Sequence, residues 1–153
     1  MSTQFIQPSS SLKQKVGDSS TEEDQLATAA LSDALQRLVP ELTDHIAADI
    51  AILQRIKTPF DMDKLANIYD RAHAVRGLAG SVSKSELGEL TDSLCRYIKA
   101  VTDPTCIDHQ LITAHLDAIA LIAHNSEMAG AASIPLITAL RNATAKNLKY
   151  TKQ

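Results

Sequence analysis

The stretch Ala72-His73-Ala74-Val75-Arg76-Gly77-Leu78-Ala79-Gly80-Ser81-Val82 sits at the centre of the run from Asp61 to Ala100, and its reading decides the fold. Apolar or small residues fall at Leu65, Ile68, Ala72, Val75, Ala79 and Val82. Spacings of three and four stack such positions on one face of a helix. His73 falls off that stripe and is expected to face solvent, with Tyr69, Asp70, Arg76 and Gly77 about one turn away.

Gly77 and Gly80 are costly in this setting, because a glycine inside a helix is less favourable than alanine by about 1 kcal/mol. A helical side chain leans over the turn that precedes it, so a side chain at position 77 would tend to cover the imidazole of His73. Glycine leaves that ring open. Arg76 places a permanent cation where an anion attached to the imidazole could be hydrogen-bonded. The combination suits a histidine that accepts a phosphoryl group from a large partner.

His73, a basic residue at +3 (Arg76) and a glycine at +4 (Gly77) form a pattern that resembles the histidine-containing phosphotransfer (HPt) domain of bacterial two-component phosphorelays. The likeness continues through Ala79-Gly80-Ser81-Val82 into Leu87, Leu90 and Leu94, and in looser form spans roughly residues 22 to 127. The resemblance implies that His73 is the phosphoryl acceptor, through one ring nitrogen, usually Nε2. It also implies that Arg76 is the phosphate-side cation and that Gly77 gives steric access, with Tyr69, Asp70 and Gly80 on the partner-facing surface. Response-regulator receiver domains, and a hybrid histidine kinase where one is present, are the partners it implies. This chain would bind no cofactor, and Mg²⁺ would sit on the receiver. Two positions depart from the pattern. Arg76 stands where the family usually has lysine, which keeps the charge and changes the hydrogen-bond geometry. Ser83 stands where glycine is usual, so the turn between the two helices is expected to differ.

Composition supports a helical domain. The 153 residues contain 44% hydrophobic residues, only 3% aromatic residues and no tryptophan, so alanine, leucine and isoleucine must build the core. A net charge of -3 and a pI near 5.9 argue against general nucleic-acid binding. Cys95 and Cys106 form no Cys-x-x-Cys pair and read as reduced thiols. No window approaches a membrane span, and no basic, hydrophobic leader opens the chain. The expectation is a cytoplasmic protein.

Taken in order, residues 1 to 20, with Pro8, Ser9-Ser10-Ser11 and Gly17, read as a flexible arm in which Phe5 and Ile6 are the only candidate anchor. Ser20 and Glu23 form a possible capping box for a helix over 22 to 38 carrying Leu26, Leu31, Leu35 and Leu38. Pro40 predicts a break before a helix over 41 to 57, with Leu42, Ile46, Ile50, Leu53 and Ile56 inward. Asp61 caps the histidine helix, 61 to 82. Ser83 with Glu86 reads as a capping box for a helix over 84 to 102, in antiparallel hairpin with its predecessor. Thr105 and Asp108 read as the start of a helix over 106 to 127, with Gly130 at its C-cap. Ser133 and Pro135 open a last helix, 134 to 148, ending among Lys146, Lys149 and Lys152.

The expected architecture is all-α: an up-and-down four-helix bundle (41-57, 61-82, 84-102, 106-127) with an N-terminal covering helix and an extra C-terminal helix. In domain terms this gives an arm over 1-20, an HPt-like bundle over 21-130 and an additional helix with a basic tail over 131-153. His109, His115 and His124 share one predicted helix, but separations of six and nine do not place them as a metal-binding i, i+4 pair. His45 has only Asp44 and Asp49 nearby in sequence, and no nucleotide-binding motif is present. Ala74 follows His73 where a sensor kinase usually carries an acidic residue that could act as a base. Acceptance from a partner is therefore preferred over autophosphorylation, and the chain reads as a phosphoryl carrier, not an enzyme. The alternative is a helical adaptor that docks receivers without being phosphorylated, and a more distant one is a phosphatase acting on phosphoreceivers.

Overall fold

A computed structural model describes residues 22-125 and 132-150. Among them the secondary structure is helical throughout: α1 Glu22–Arg55, α2 Met62–Ala79, α3 Ser85–Ala100, α4 His109–His124 and α5 Ile134–Tyr150, with 3-10 turns at Gly80–Val82 and Pro104–Cys106. No helix of the described residues is long and apolar enough to cross a membrane. The arm over 1-20, its Ser20 cap and the Gly130 cap lie outside the described residues.

The chain divides into two compact units, one ending at Leu38 and one beginning at Val39. The break expected at Pro40 is absent, since α1 runs through it. Proline removes a donor from the helix ladder and presses on the carbonyl four residues back, at a cost of about 3 kcal/mol. Helix-favouring residues on both sides carry the chain across the site, and the division between units falls two residues before it. In the first unit, Leu26, Leu31, Leu35 and Leu38 repeat at helical spacing along α1. They remain 46 to 69% exposed.

In the second unit the core follows the predicted periodicity closely. Ile46, Ile50 and Leu53 of α1, Leu65, Ile68, Ala72, Val75 and Ala79 of α2, and Leu87, Leu90, Leu94 and Ile98 of α3 are all buried. Leu111, Ile112, Ala118, Ile119 and Ile122 of α4, with Ile137 and Leu140 of α5, join the same cluster. Each buried leucine, isoleucine or valine among them contributes roughly 1.5 to 3 kcal/mol on leaving water, and the alanines less. Val82 and Leu42, expected inside, are half-buried. Between α2 and α3 a Cβ at Gly88 would lie 3.5 Å from that of Ala79, so small residues set a close approach there.

The links have local causes. Asp61 caps α2 as expected, its Oδ1 accepting from the Lys64 N–H at 2.8 Å. Lys64 Nζ also donates to the carbonyls of Lys57 and Pro59, which ties the preceding loop to the first turn of α2. The expected Ser83–Glu86 box does not form. Ser83 instead takes the left-handed conformation, φ 57° and ψ 36°. Its N–H donates to Gly80 O at 3.4 Å while the Lys84 N–H donates to Ala79 O at 2.9 Å, the paired bonds of a Schellman ending. Lys84 becomes the N-cap of α3 without a side-chain cap bond. Thr105 likewise does not start α4. It closes a turn on Asp103, and Asp108 caps α4 through the Leu111 N–H at 2.9 Å. The buried Tyr97 holds this link, its hydroxyl accepting from the Asp108 N–H at 2.6 Å and donating to Cys106 O at 3.4 Å.

Candidate functional site

The alternation of buried and exposed positions along α2 fixes where His73 points. Ala72 and Val75 are buried, and His73, Arg76, Gly77 and Gly80 are exposed, as the sequence periodicity predicts. Asp70 is exposed and Tyr69 half-buried on the same stretch. The helix thus brings the six candidate residues onto one solvent-facing strip.

The imidazole of His73 stacks on Tyr69, with ring centroids 5.6 Å apart and planes inclined by 10°. Tyr69 is supported in turn from α3, where Lys99 Nζ lies 5.9 Å from its ring centroid. A half-buried ring four residues before the histidine restricts the imidazole without covering its outer face. Lys99 also brings a second cation to this neighbourhood, and the sequence reading missed it. Its signal was present: Leu94 and Ile98 define the buried face of α3, which sets Lys99 beside it on the exposed flank.

Arg76 is engaged differently from the expectation. Its Nη1 donates to Asp92 Oδ1 at 2.9 Å, and the other Asp92 oxygen accepts from Arg96 Nε at 2.8 Å. The cation expected to await an anion on His73 is held by a carboxylate from α3, another residue that sequence reasoning did not single out. Asp92 lies sixteen residues from Arg76, too far for a spacing rule within one helix to pair them.

Gly77 and Gly80 both face open space, since a Cβ at either position would meet no heavy atom within 4 Å. Among the described residues, nothing in the packing requires either glycine. The steric argument for Gly77 is narrowed accordingly: a methyl group would not reach the His73 ring, whereas a longer side chain could. Two depressions flank the histidine. Toward the start of α2, Met62, Leu65, Ala66, Tyr69 and Ile98 line a mainly apolar hollow of about 260 Å³, with Asp70 and Lys99 at its edge. Toward the end of α2, Arg76, Gly80, Ser85, Gly88, Glu89, Asp92 and Arg141 line a polar groove of about 400 Å³. Arg141 of α5 pairs there with Glu89 at 3.0 Å, so the C-terminal helix contributes to the surface near the site.

The remaining histidines and both thiols have other surroundings. His109 stacks on Phe60 at 5.7 Å and accepts its N–H through Nδ1 at 3.2 Å, and His124 Nε2 lies 3.5 Å from Gln54 Nε2. His115 is fully buried, with Ser93 Oγ 3.0 Å from Nε2. No group of three potential metal-binding side chains occurs among the described residues. Cys95 and Cys106 are free thiols, and burial pushes the Cys95 thiol up to about 11. At neutral pH Cys95 is therefore a protonated packing residue beneath Tyr69, whose carbonyl lies 4.0 Å from its sulfur.

This arrangement presents one accessible imidazole, held on an aromatic ring, between an apolar hollow and an arginine-lined groove. Such a surface can offer a ring nitrogen to an electrophile carried by a macromolecule. No protein-family model, curated protein or solved structure matches the chain.

Proposed function

We propose that this chain is a histidine phosphotransfer protein that accepts a phosphoryl group on His73 from a receiver-domain phosphoaspartate and passes it to another receiver. The observation that carries the reading is the exposed His73 on a helix with an outward Gly77 inside it and Gly80 in the 3-10 turn that ends it, neither with a packing role among the described residues. A helix that tolerates an interior glycine one turn from an exposed imidazole is suited to close approach by another protein. The described residues are helical, with α3 packed against α2, α4 and α5, which supports the reading of an up-and-down four-helix bundle with an added helix.

In the proposed step an unprotonated ring nitrogen of His73 attacks the phosphorus of the aspartyl phosphate. The P–N bond forms as the acyl P–O bond breaks, and the aspartate leaves as carboxylate. A neutral imidazole carries a lone pair on one ring nitrogen and is a competent nucleophile. Mg²⁺ and cations on the receiver neutralise the transferring group. This chain contributes presentation: Tyr69 orients the ring, Gly77 and Gly80 leave the approach open, and Arg76 supplies a cation. It is a carrier of the group with no kinase activity of its own, acting in the cytoplasm with response-regulator receivers or a hybrid kinase as partners.

The test is incubation with a receiver carrying radiolabelled phosphoaspartate. Label that moves to this chain, is lost in acid and is absent from a His73→Gln protein with unchanged helical circular dichroism supports the proposal. Receiver binding with no transfer of label would overturn it in favour of a docking adaptor.

A further inference from the structure

The acidic residue that holds Arg76 is shared, and the sharing has a chemical consequence. Asp92 divides its two oxygens between two arginines, Oδ1 to Arg76 and Oδ2 to Arg96. We propose that Asp92 is an exchangeable counter-ion for Arg76: it holds the guanidinium while His73 is bare and yields it to the phosphoryl group once His73 is phosphorylated. This rests on the phosphotransfer reading of His73.

Three features favour exchange over a fixed bridge. The pair lies at the surface, with the Arg76 side chain 40% and the Asp92 side chain 31% exposed, so water screens it and its equilibrium weight is no more than about fivefold. A phosphoryl group with charge near -2 and three acceptor oxygens is a stronger partner for a planar guanidinium than a carboxylate already shared. Arg96 stays on Asp92 after Arg76 departs, so the exchange leaves no unpaired carboxylate behind. Space for the movement is also present. Arg76 and Asp92 line the groove with Gly80 and Gly88, and nothing within 4 Å occupies the place of a Gly80 side chain.

Asp92 is thus a positioning residue that sets how often Arg76 is available to the phosphoryl group. Hydrolysis of phosphohistidine breaks the P–N bond, forms a P–O bond to water and returns a proton to the imidazole. A guanidinium bound to the phosphoryl oxygens stabilises the bonded state by charge-assisted hydrogen bonds, and under this proposal it does so more than it stabilises the transition state, so the loss is slowed.

The experiment uses potassium phosphoramidate, a small donor that transfers its phosphoryl group to imidazole with ammonia leaving and needs no receiver. Phosphohistidine on the His73 peptide is followed by mass spectrometry, and its lifetime is measured in the parent, Asp92→Asn, Asp92→Glu, Arg76→Ala and Asp92→Asn/Arg76→Ala proteins. Asp92→Asn should lengthen the lifetime roughly two- to fivefold, Asp92→Glu should restore the parental value, and the gain should vanish when Arg76 is alanine. An unchanged lifetime in Asp92→Asn, an equal gain in the Arg76→Ala background, or no phosphoramidate label on His73 would each overturn the exchange. Lifetimes that follow the expected pattern in a protein that takes no label from receivers would support the exchange and sink the relay reading alone.

Discussion

Tyr69 and His73 stack with their planes inclined by 10°, so the exposed imidazole rests one face on a half-buried ring. A stacked pair of this kind contributes about 0.5 to 1.5 kcal/mol beyond simple burial. Tyr69→Ala removes the support and should slow phosphoryl acceptance by up to about tenfold, the equivalent of that energy. Tyr69→Phe keeps the ring and should behave like the parent. Equal rates of transfer from one phosphoreceiver to all three proteins would show that the stack has no role in presentation.

Gly77 separates access from folding. Its missing Cβ would touch nothing, so Gly77→Ala should raise stability by up to about 1 kcal/mol and leave transfer unchanged. Gly77→Leu should keep some of the added stability and slow transfer, because its longer side chain leans back toward His73. Denaturant melts paired with transfer rates check both statements. A Gly77→Leu protein that folds and transfers at the parental rate would remove the steric role.

The inward faces of α2, α3 and α4 were legible in the sequence because a buried helix must repeat its apolar residues every three or four positions. Leu65, Ile68, Ala72, Val75 and Ala79 are the clearest instance, and His73 was placed correctly as their complement. The ends were less legible. Ser83 and Glu86 have the spacing of a capping box, yet the backbone at Ser83 is left-handed, and local spacing carries no record of φ. Pro40 reads as a breaker by its intrinsic cost, and the helix on either side outweighs it. The environment of Arg76 was not accessible at all, since Asp92 and Arg96 belong to the next helix and meet it only after the two helices pack. The place of Lys99 on the exposed flank of α3 was readable from the spacing of Leu94 and Ile98, whereas its contact with Tyr69 forms only when the two helices pack.

Ser83 occupies the position of a Schellman ending that glycine usually fills, at φ 57°. A residue with a Cβ is strained there by about 1 to 2 kcal/mol, part of which glycine gives back as extra freedom in the unfolded chain. Ser83→Gly should therefore stabilise the protein by about 1 kcal/mol. Phosphoryl transfer should be unaffected, because the change lies past the end of α2. A midpoint of urea unfolding at or below that of the parent would contradict the strain argument.

The buried polar node on α3, α4 and α5 predicts a pH response. His115 is 0% exposed, and its Nδ1 lies 2.8 Å from Leu111 O. A carbonyl can only accept, so Nδ1 carries the proton and Nε2 is left as acceptor. Ser93 Oγ lies 3.0 Å from Nε2, and Thr144 Oγ1 lies 3.1 Å from Ser93 Oγ, so Thr144 donates to Ser93 and Ser93 to the ring. This chain of bonds satisfies a neutral imidazole. Burial lowers the His115 pKa, because an imidazolium here would lose its water, and the bond to Leu111 opposes that shift only in part. The unfolded chain, with a histidine pKa near 6.5, then binds a proton that the folded chain refuses. Stability contributed by the neutral ring is thus fully present above about pH 6.5 and declines as pH falls toward the lower, folded-state value, by at most about 1.4 kcal/mol per pH unit. Urea unfolding at intervals between pH 5 and 8 should show this slope in the parent. In His115→Gln, which does not titrate in that range, the histidine component of the slope should be missing, even though the variant is less stable throughout. Parallel curves for the two proteins between pH 5 and 7 would mean that His115 takes up its proton equally well folded and unfolded, and the node would then have no part in the acid response.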